Sequence, residues 1–312
     1  MTAAAGQAMP KRSRSALVQP STQRPLRYWS PWLGVFALAW ALAFVRLAPH
    51  PAALAASSWP LFFVGFAGAV LGNVSAVGGG IVFIPAMMFV YHLDPVSALK
   101  VALASQCFGM TSGAIGWVQR RAVPLRLLAP TVPGLLLGST LGALVVRVSP
   151  LLVKSCFGPV SVALGLLTLA LLARERRGSA ARAPARVFGP AAMVVIALVS
   201  VVGGVLTAWV AIGEGEVVAA TLMLAYGVEA SAAIGLGVVL LAVNSLYLGA
   251  LHQFALGGIP WEIAAFTGFG CVFGARLGPW VSQRFSGVVL KSIFAAIAIA
   301  DGLLFTWQAW RR

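Results

Sequence analysis

Charge is scarce in this chain, and acid scarcer than base. Of 312 residues only 9% are charged, with 22 Lys or Arg against 7 Asp or Glu. Soluble domains carry about 25% charged residues, so a water-facing globular surface is excluded. Cysteine and histidine number three each. Cys107, Cys156 and Cys271 lie far apart in apolar stretches, and His50, His92 and His252 fall near predicted helix ends. None has metal-ligand or disulfide spacing, so no metal site is expected and the cysteines read as small buried apolar groups. No Gly-x4-Gly-Lys-Ser/Thr run occurs, which argues against ATP hydrolysis in this chain. A membrane-embedded enzyme would need a His or Cys cluster or a carboxylate dyad. Only Glu214 and Glu216 approach one, and residues two apart on a helix do not face each other. No enzymatic activity and no cofactor are expected.

What is abundant is apolar. Hydrophobic residues make up 60% of the chain, and the mean hydropathy is +0.94. Apolar runs occupy about 32–47, 59–91, 95–118, 127–147, 150–173, 187–226, 229–252, 260–281 and 287–309. A bilayer core takes about 20 helical residues, so the chain reads as an all-α polytopic membrane protein. The net charge of +15 invites a nucleic-acid partner, but the cations gather in the tail and in short loops, as in chains held by positive cytoplasmic loops. No large soluble domain presents a basic face, and nucleic acid is excluded as a partner. Residues 1–30, with Lys11, Arg12, Arg14, Arg24 and Arg27, form a basic cytoplasmic tail. Residues 31–58 hold an N-terminal helix and an outer loop. The long tail favours an uncleaved anchor over a signal peptide cut near Ala53 to Ser58.

The rest divides into halves that repeat: 59–173, a basic cytoplasmic linker at 174–186, and 187–312. Val123-Pro124 answers Ile259-Pro260, and Gly134, Gly138, Leu141 and Gly142 answer Gly270, Gly274, Leu277 and Gly278. Lys154-Ser155 answers Lys291-Ser292. Glycines at i, i+4 and i+8 share one helix face and let helices approach closely. The turn Gln119-Arg120-Arg121 to Arg126 is basic, while its counterpart Leu251 to Glu262 has no Lys or Arg. By the positive-inside rule they lie on opposite sides, which makes the repeat inverted. Each half then has a glycine-broken re-entrant helix pair plus three transmembrane helices, with one extra helix at the N-terminus. If each broken run crosses once instead, the halves are parallel and Arg120-Arg121 face outward.

The breaks are the feature with chemistry. Gly78-Gly79-Gly80 and Gly213-Glu214-Gly215-Glu216 interrupt the two runs that are too long for one span. Unwound backbone at membrane depth is tolerated only where protein or water lines it. A half-helix that restarts after a break offers free N–H groups and the positive end of its dipole, a natural seat for a small anion. Candidate substrate contacts are Gly78, Gly79 and Gly80 with Asn73 and Ser75 before them, Ser105 and Gln106 on the next run, and Gly213, Gly215 and Asn244 in the second half. Glu214 and Glu216 are acids at membrane depth, costly unless functional. They suit a coupled proton, a cation site, or pairing with Lys100 or Arg276. Lys100 itself reads as either a snorkelling cation or part of an anion path. Asp94-Pro95 reads as a helix cap and first turn.

At these residues the chain resembles the sulfite exporter TauE/SafE family of membrane transporters. The likeness is carried by Gly78-Gly79-Gly80 running into Ile81-Val82-Phe83-Ile84-Pro85, by Asp94-Pro95-Val96-Ser97-Ala98, and by Gly116 with the basic turn and Gly134 to Gly142. The plan recurs from Gly213 to Ala232 and from Ile259 to Gly278. The resemblance implies movement of small sulfur-containing anions, such as sulfite or organosulfonates, across the bacterial cytoplasmic membrane. Glu214 and Glu216 depart from the family's usual glycine-rich second break. The readings set against an anion transporter are a cation permease using these two acids and a non-transporting membrane scaffold.

Overall fold

The computed structural model describes residues 31–76, 78–119, 123–176, 188–284 and 287–310. The basic tail, most of the 174–186 linker and Arg120-Arg121 lie outside them, as does the side chain of Ser75. Among the described residues every regular element is helical. In chain order these are α1 (Trp32–Leu47), α2 (Pro51–Ser58), α3 (Pro60–Ser75), α4 (Gly80–Pro85, continued by a π turn Ala86–Val90), α5 (Pro95–Gln119) and α6 (Leu128–Thr140). They continue with α7 (Pro150–Arg176), α8 (Pro190–Val210), α9 (Glu214–Ala225), α10 (Ala230–Phe254), α11 (Trp261–Arg284) and α12 (Gly287–Trp310).

Local chemistry explains the ends. Pro51, Pro60 and Pro190 open α2, α3 and α8, where a missing N–H costs nothing. Asp94 caps α5 by accepting from the N–H groups of Val96 and Ser97, both at 3.0 Å. Glu229 caps α10 through Ser231 at 3.0 Å and Ala232 at 3.2 Å. The stretch 48–58, expected as an outer loop, contains α2. Its Pro start and the small residues Ala52, Ala53, Ala55 and Ala56 make a short helix, bent by 55° against α3.

Among the described residues, four helical segments are long and apolar enough to cross a bilayer: Leu125–Val145, Pro150–Arg174, Pro190–Val210 and Ala230–Phe254. A fifth results if Pro51–Ser58 and Pro60–Val74 count as one bent span. Large apolar side chains such as Leu38, Leu151, Leu198 and Leu303 stand exposed, while Asn73, Gln106, Glu214 and Asn244 are buried. That inside-out distribution suits a lipid surround.

Five helix pairs make the frame, one of them α5 running parallel to α11 and joined to it at Ser105–Thr267 and Ser112–Val272. α5 lies against α10, antiparallel: Lys100 near the start of α5 reaches Leu256 just beyond α10, and Cys107 midway reaches Ser245. α7 lies antiparallel on α12, with Gly158 against Gly302 and Gly165 against Ala295. α6 runs parallel to α8, and α3 parallel to α11. These parallel contacts are glycine-mediated. Gly134 and Gly138 sit on the Ala197 and Val201 carbonyls, and Gly270 and Gly274 on those of Phe62 and Phe66. The face of small residues read from the sequence packs helix on helix, as small-xxx-small spacing does.

Candidate functional site at the paired helix breaks

α3 ends on Ala76, in the left-handed region at φ 60°, and the chain passes Gly78, at φ 78°, before restarting at Gly80. α8 ends in the same way on Ala211, at φ 56°, and restarts after Gly213. Gly213 has φ 124° and ψ −42°, a conformation closed to residues with a Cβ. Neither broken run is a continuous rod.

The two breaks touch. A Cβ built on Gly80 would stand 2.5 Å from the Ala211 carbonyl oxygen, and one on Gly215 would collide with the Ala76 carbonyl. Each restart therefore abuts the unwound residue of the other break. Gln106 of α5 fastens the contact. Its Nε2 donates to the Ala211 oxygen at 2.7 Å, and Gly78 lies against the same amide. Ser245 of α10 donates to the Leu241 carbonyl at 2.6 Å, with Gln106 Oε1 also within reach at 3.2 Å.

The two restarts are furnished differently. Among the described residues, no side chain caps α4. At α9, Glu216 Oε2 accepts from the Gly213 N–H at 3.1 Å, and Thr207 Oγ1 accepts from the Glu214 N–H at 3.1 Å. The protein's own carboxylate thus occupies the position at α9 that an anion would take. Glu214 is 0% exposed, and the hydroxyl of Ser200 is set toward its carboxylate. It lies against Gly203 of α8. Nearby, Ser139 of α6 donates to Asn244 Oδ1 at 2.6 Å, with the Gly204 carbonyl at 3.3 Å. Among the described residues, Asn244 Nδ2 is buried without a partner. A buried polar group left without a partner is rare in a packed interior.

The other candidates fall as follows. Asn73 donates to the Ala69 carbonyl at 2.9 Å and leaves Oδ1 unpartnered against Gly113. Ser105 Oγ and Thr267 Oγ1 are 2.5 Å apart and join α5 to α11. Among the described residues, no acid pairs with Lys100 or Arg276. Lys100 donates instead to the Leu256 carbonyl at 2.7 Å, and the Arg276 guanidinium lies 4.7 Å from the Trp32 ring centre. The structure therefore joins Gly78, Gly80, Gln106, Gly213, Gly215, Glu214 and Glu216 at one place. It puts Ser105 at a helix contact and Asn244 at the α6–α10 contact. Sequence reading passed over Thr207, Ser139 and Ser200. Their signal was a hydroxyl inside an apolar helix, and for Thr207 its place one turn before the break.

A helical membrane protein whose centre is two interlocked helix breaks belongs among transporters by architecture. Residues 61–305 match the family model for the sulfite exporter TauE/SafE. The chain belongs to that family, one of membrane transporters of sulfur anions. No curated protein and no solved structure matches it.

Proposed function

We propose that the chain is a secondary transporter moving a small sulfur oxyanion, sulfite or an organosulfonate, across the cytoplasmic membrane, with protons carried at Glu214 and Glu216. The reciprocal contact of the two breaks, clamped by Gln106 and ringed by buried polar groups, carries this reading. At the first break, backbone N–H groups at Gly80 and Ile81 open a half-helix that no side chain of the described residues caps. A low-dielectric surround strengthens their attraction for an anion. At the second break a carboxylate already fills that role, so the two restarts divide the work between solute and proton.

The halves are inverted repeats in this reading. Support comes from the helix directions. α5 and α10 hold corresponding places and run antiparallel, as do α7 and α12. The α3–α11 and α6–α8 contacts exchange under the same operation and run parallel. A two-fold axis perpendicular to the helices produces that set. An axis along them would leave corresponding helices parallel.

The test is flux of radiolabelled sulfite and of an organosulfonate into proteoliposomes holding the full chain, with and without a pH gradient. Saturable anion uptake that responds to the gradient is the expected result. Divalent-cation flux abolished by Glu214→Gln would establish the permease instead, and absence of any flux would leave a scaffold.

A further inference from the structure

The interior holds a second uncompensated charge, far from the breaks. Arg276 of α11 is only 4% exposed, yet among the described residues its Nε and Nη2 have no hydrogen-bond partner. Three of the chain's acids are committed elsewhere: Asp94 and Glu229 cap helices, and Glu216 caps α9. Among the described residues, the group set against the guanidinium is the Trp32 ring, its centre 4.7 Å away at the first residue of α1. A ring face offsets only part of the loss of water around a cation.

There is also room beside it. Among the described residues, a Cβ built on Gly116 of α5 would meet a single heavy atom within 4 Å, Arg276 Nη1 at 4.0 Å. Most helical glycines here are pressed against neighbouring backbone, so an open glycine facing a buried guanidinium is a different kind of position. Within about a turn of it, Ser112 Oγ donates to the Val272 carbonyl at 3.0 Å and seals α5 to α11. A planar guanidinium with free N–H groups matches two oxygens of a sulfur oxyanion at once.

We infer that Arg276, with the space at Gly116 and the cover of Trp32, binds a small oxyanion of the sulfite or sulfonate class. The site lies about 15 Å along α5 from Gln106, so it is a station on the solute's route rather than part of the breaks. This rests on the transport reading for its role, while its occupancy is measured independently.

Binding of sulfite and of methanesulfonate to the full chain in detergent, followed by titration calorimetry, is compared with flux in proteoliposomes. Gly116→Val fills the space and keeps the charge. Arg276→Gln removes the charge and Arg276→Lys keeps it without the planar fork. Each is expected to weaken binding, with Arg276→Gln and Gly116→Val raising Kd tenfold or more and Arg276→Lys less. If Arg276→Gln fails to fold, Gly116→Val decides. Unchanged Kd and unchanged anion KM in a folded Gly116→Val or Arg276→Gln protein would overturn the site while leaving transport standing. Binding lost in Gly116→Val, in a protein that moves no anion, would support the site and sink the transport reading.

Discussion

Gly215→Ala distinguishes touching breaks from separate ones by the sign of its effect. Gly215 is a helical residue in the first turn of α9. Where a helical glycine has free space, alanine stabilises by about 1 kcal/mol. At Gly215 the new methyl would strike the Ala76 carbonyl and stand 2.7 Å from Leu241 Cδ1. Leu241 can swing away, but the carbonyl belongs to backbone that is itself held in the left-handed region. The breaks would have to part, and overpacking of this kind costs about 1–3 kcal/mol. Gly34, in α1, provides the contrast, since among the described residues nothing lies within 4 Å of the point where an alanine methyl would stand. Thermal unfolding of the purified protein in one detergent should therefore rank Gly34→Ala at or above the wild type and Gly215→Ala below it. Gly80→Ala should fall with Gly215→Ala, because its methyl meets the Ala211 carbonyl from the other side. A Gly215→Ala protein as stable as the Gly34→Ala protein would refute the crossing, and with it the geometry of the site.

Two further outcomes follow from the same cluster. Glu216→Gln keeps an oxygen for the Gly213 N–H and should leave the unfolding temperature near that of the wild type, whereas Glu216→Leu should lose about 0.5–2 kcal/mol of cap stabilisation in the same assay. Gln106→Leu strips the Ala211 carbonyl of its donor. It should cost about 1–3 kcal/mol for a buried group left unpaired, read as lower thermal stability and faster hydrogen exchange confined to residues around both breaks.

The breaks and the spans were legible because both depend on composition along the chain. Three adjacent glycines cannot continue a helix comfortably, and Pro190–Val210 is apolar almost from end to end. Asp94 was legible for the same reason, a cap being a matter of three or four residues. The cluster itself was not, because it depends on which faces meet. Gln106 looked like one polar group among several on its run, and its bond to Ala211 joins residues 105 positions apart. Glu216 read as a proton carrier, a cation ligand or a partner for Lys100 or Arg276 and not as a cap, since a side chain turning back on its own helix start leaves no mark beyond the spacing to Gly213. Arg276 was weighed only as an acid's partner. Its isolation emerges once α1, α5 and α11 are assembled around it.

The abutment of Gly80 on Ala211 and of Gly215 on Ala76 has a mechanical consequence. In the proposed transport cycle, a solute that pushes one loop aside must dislodge the opposite one, because each is the other's doorstop. Opening toward one side of the bilayer and closing toward the other then become a single displacement, and an open conduit through both would require the two loops to yield at once.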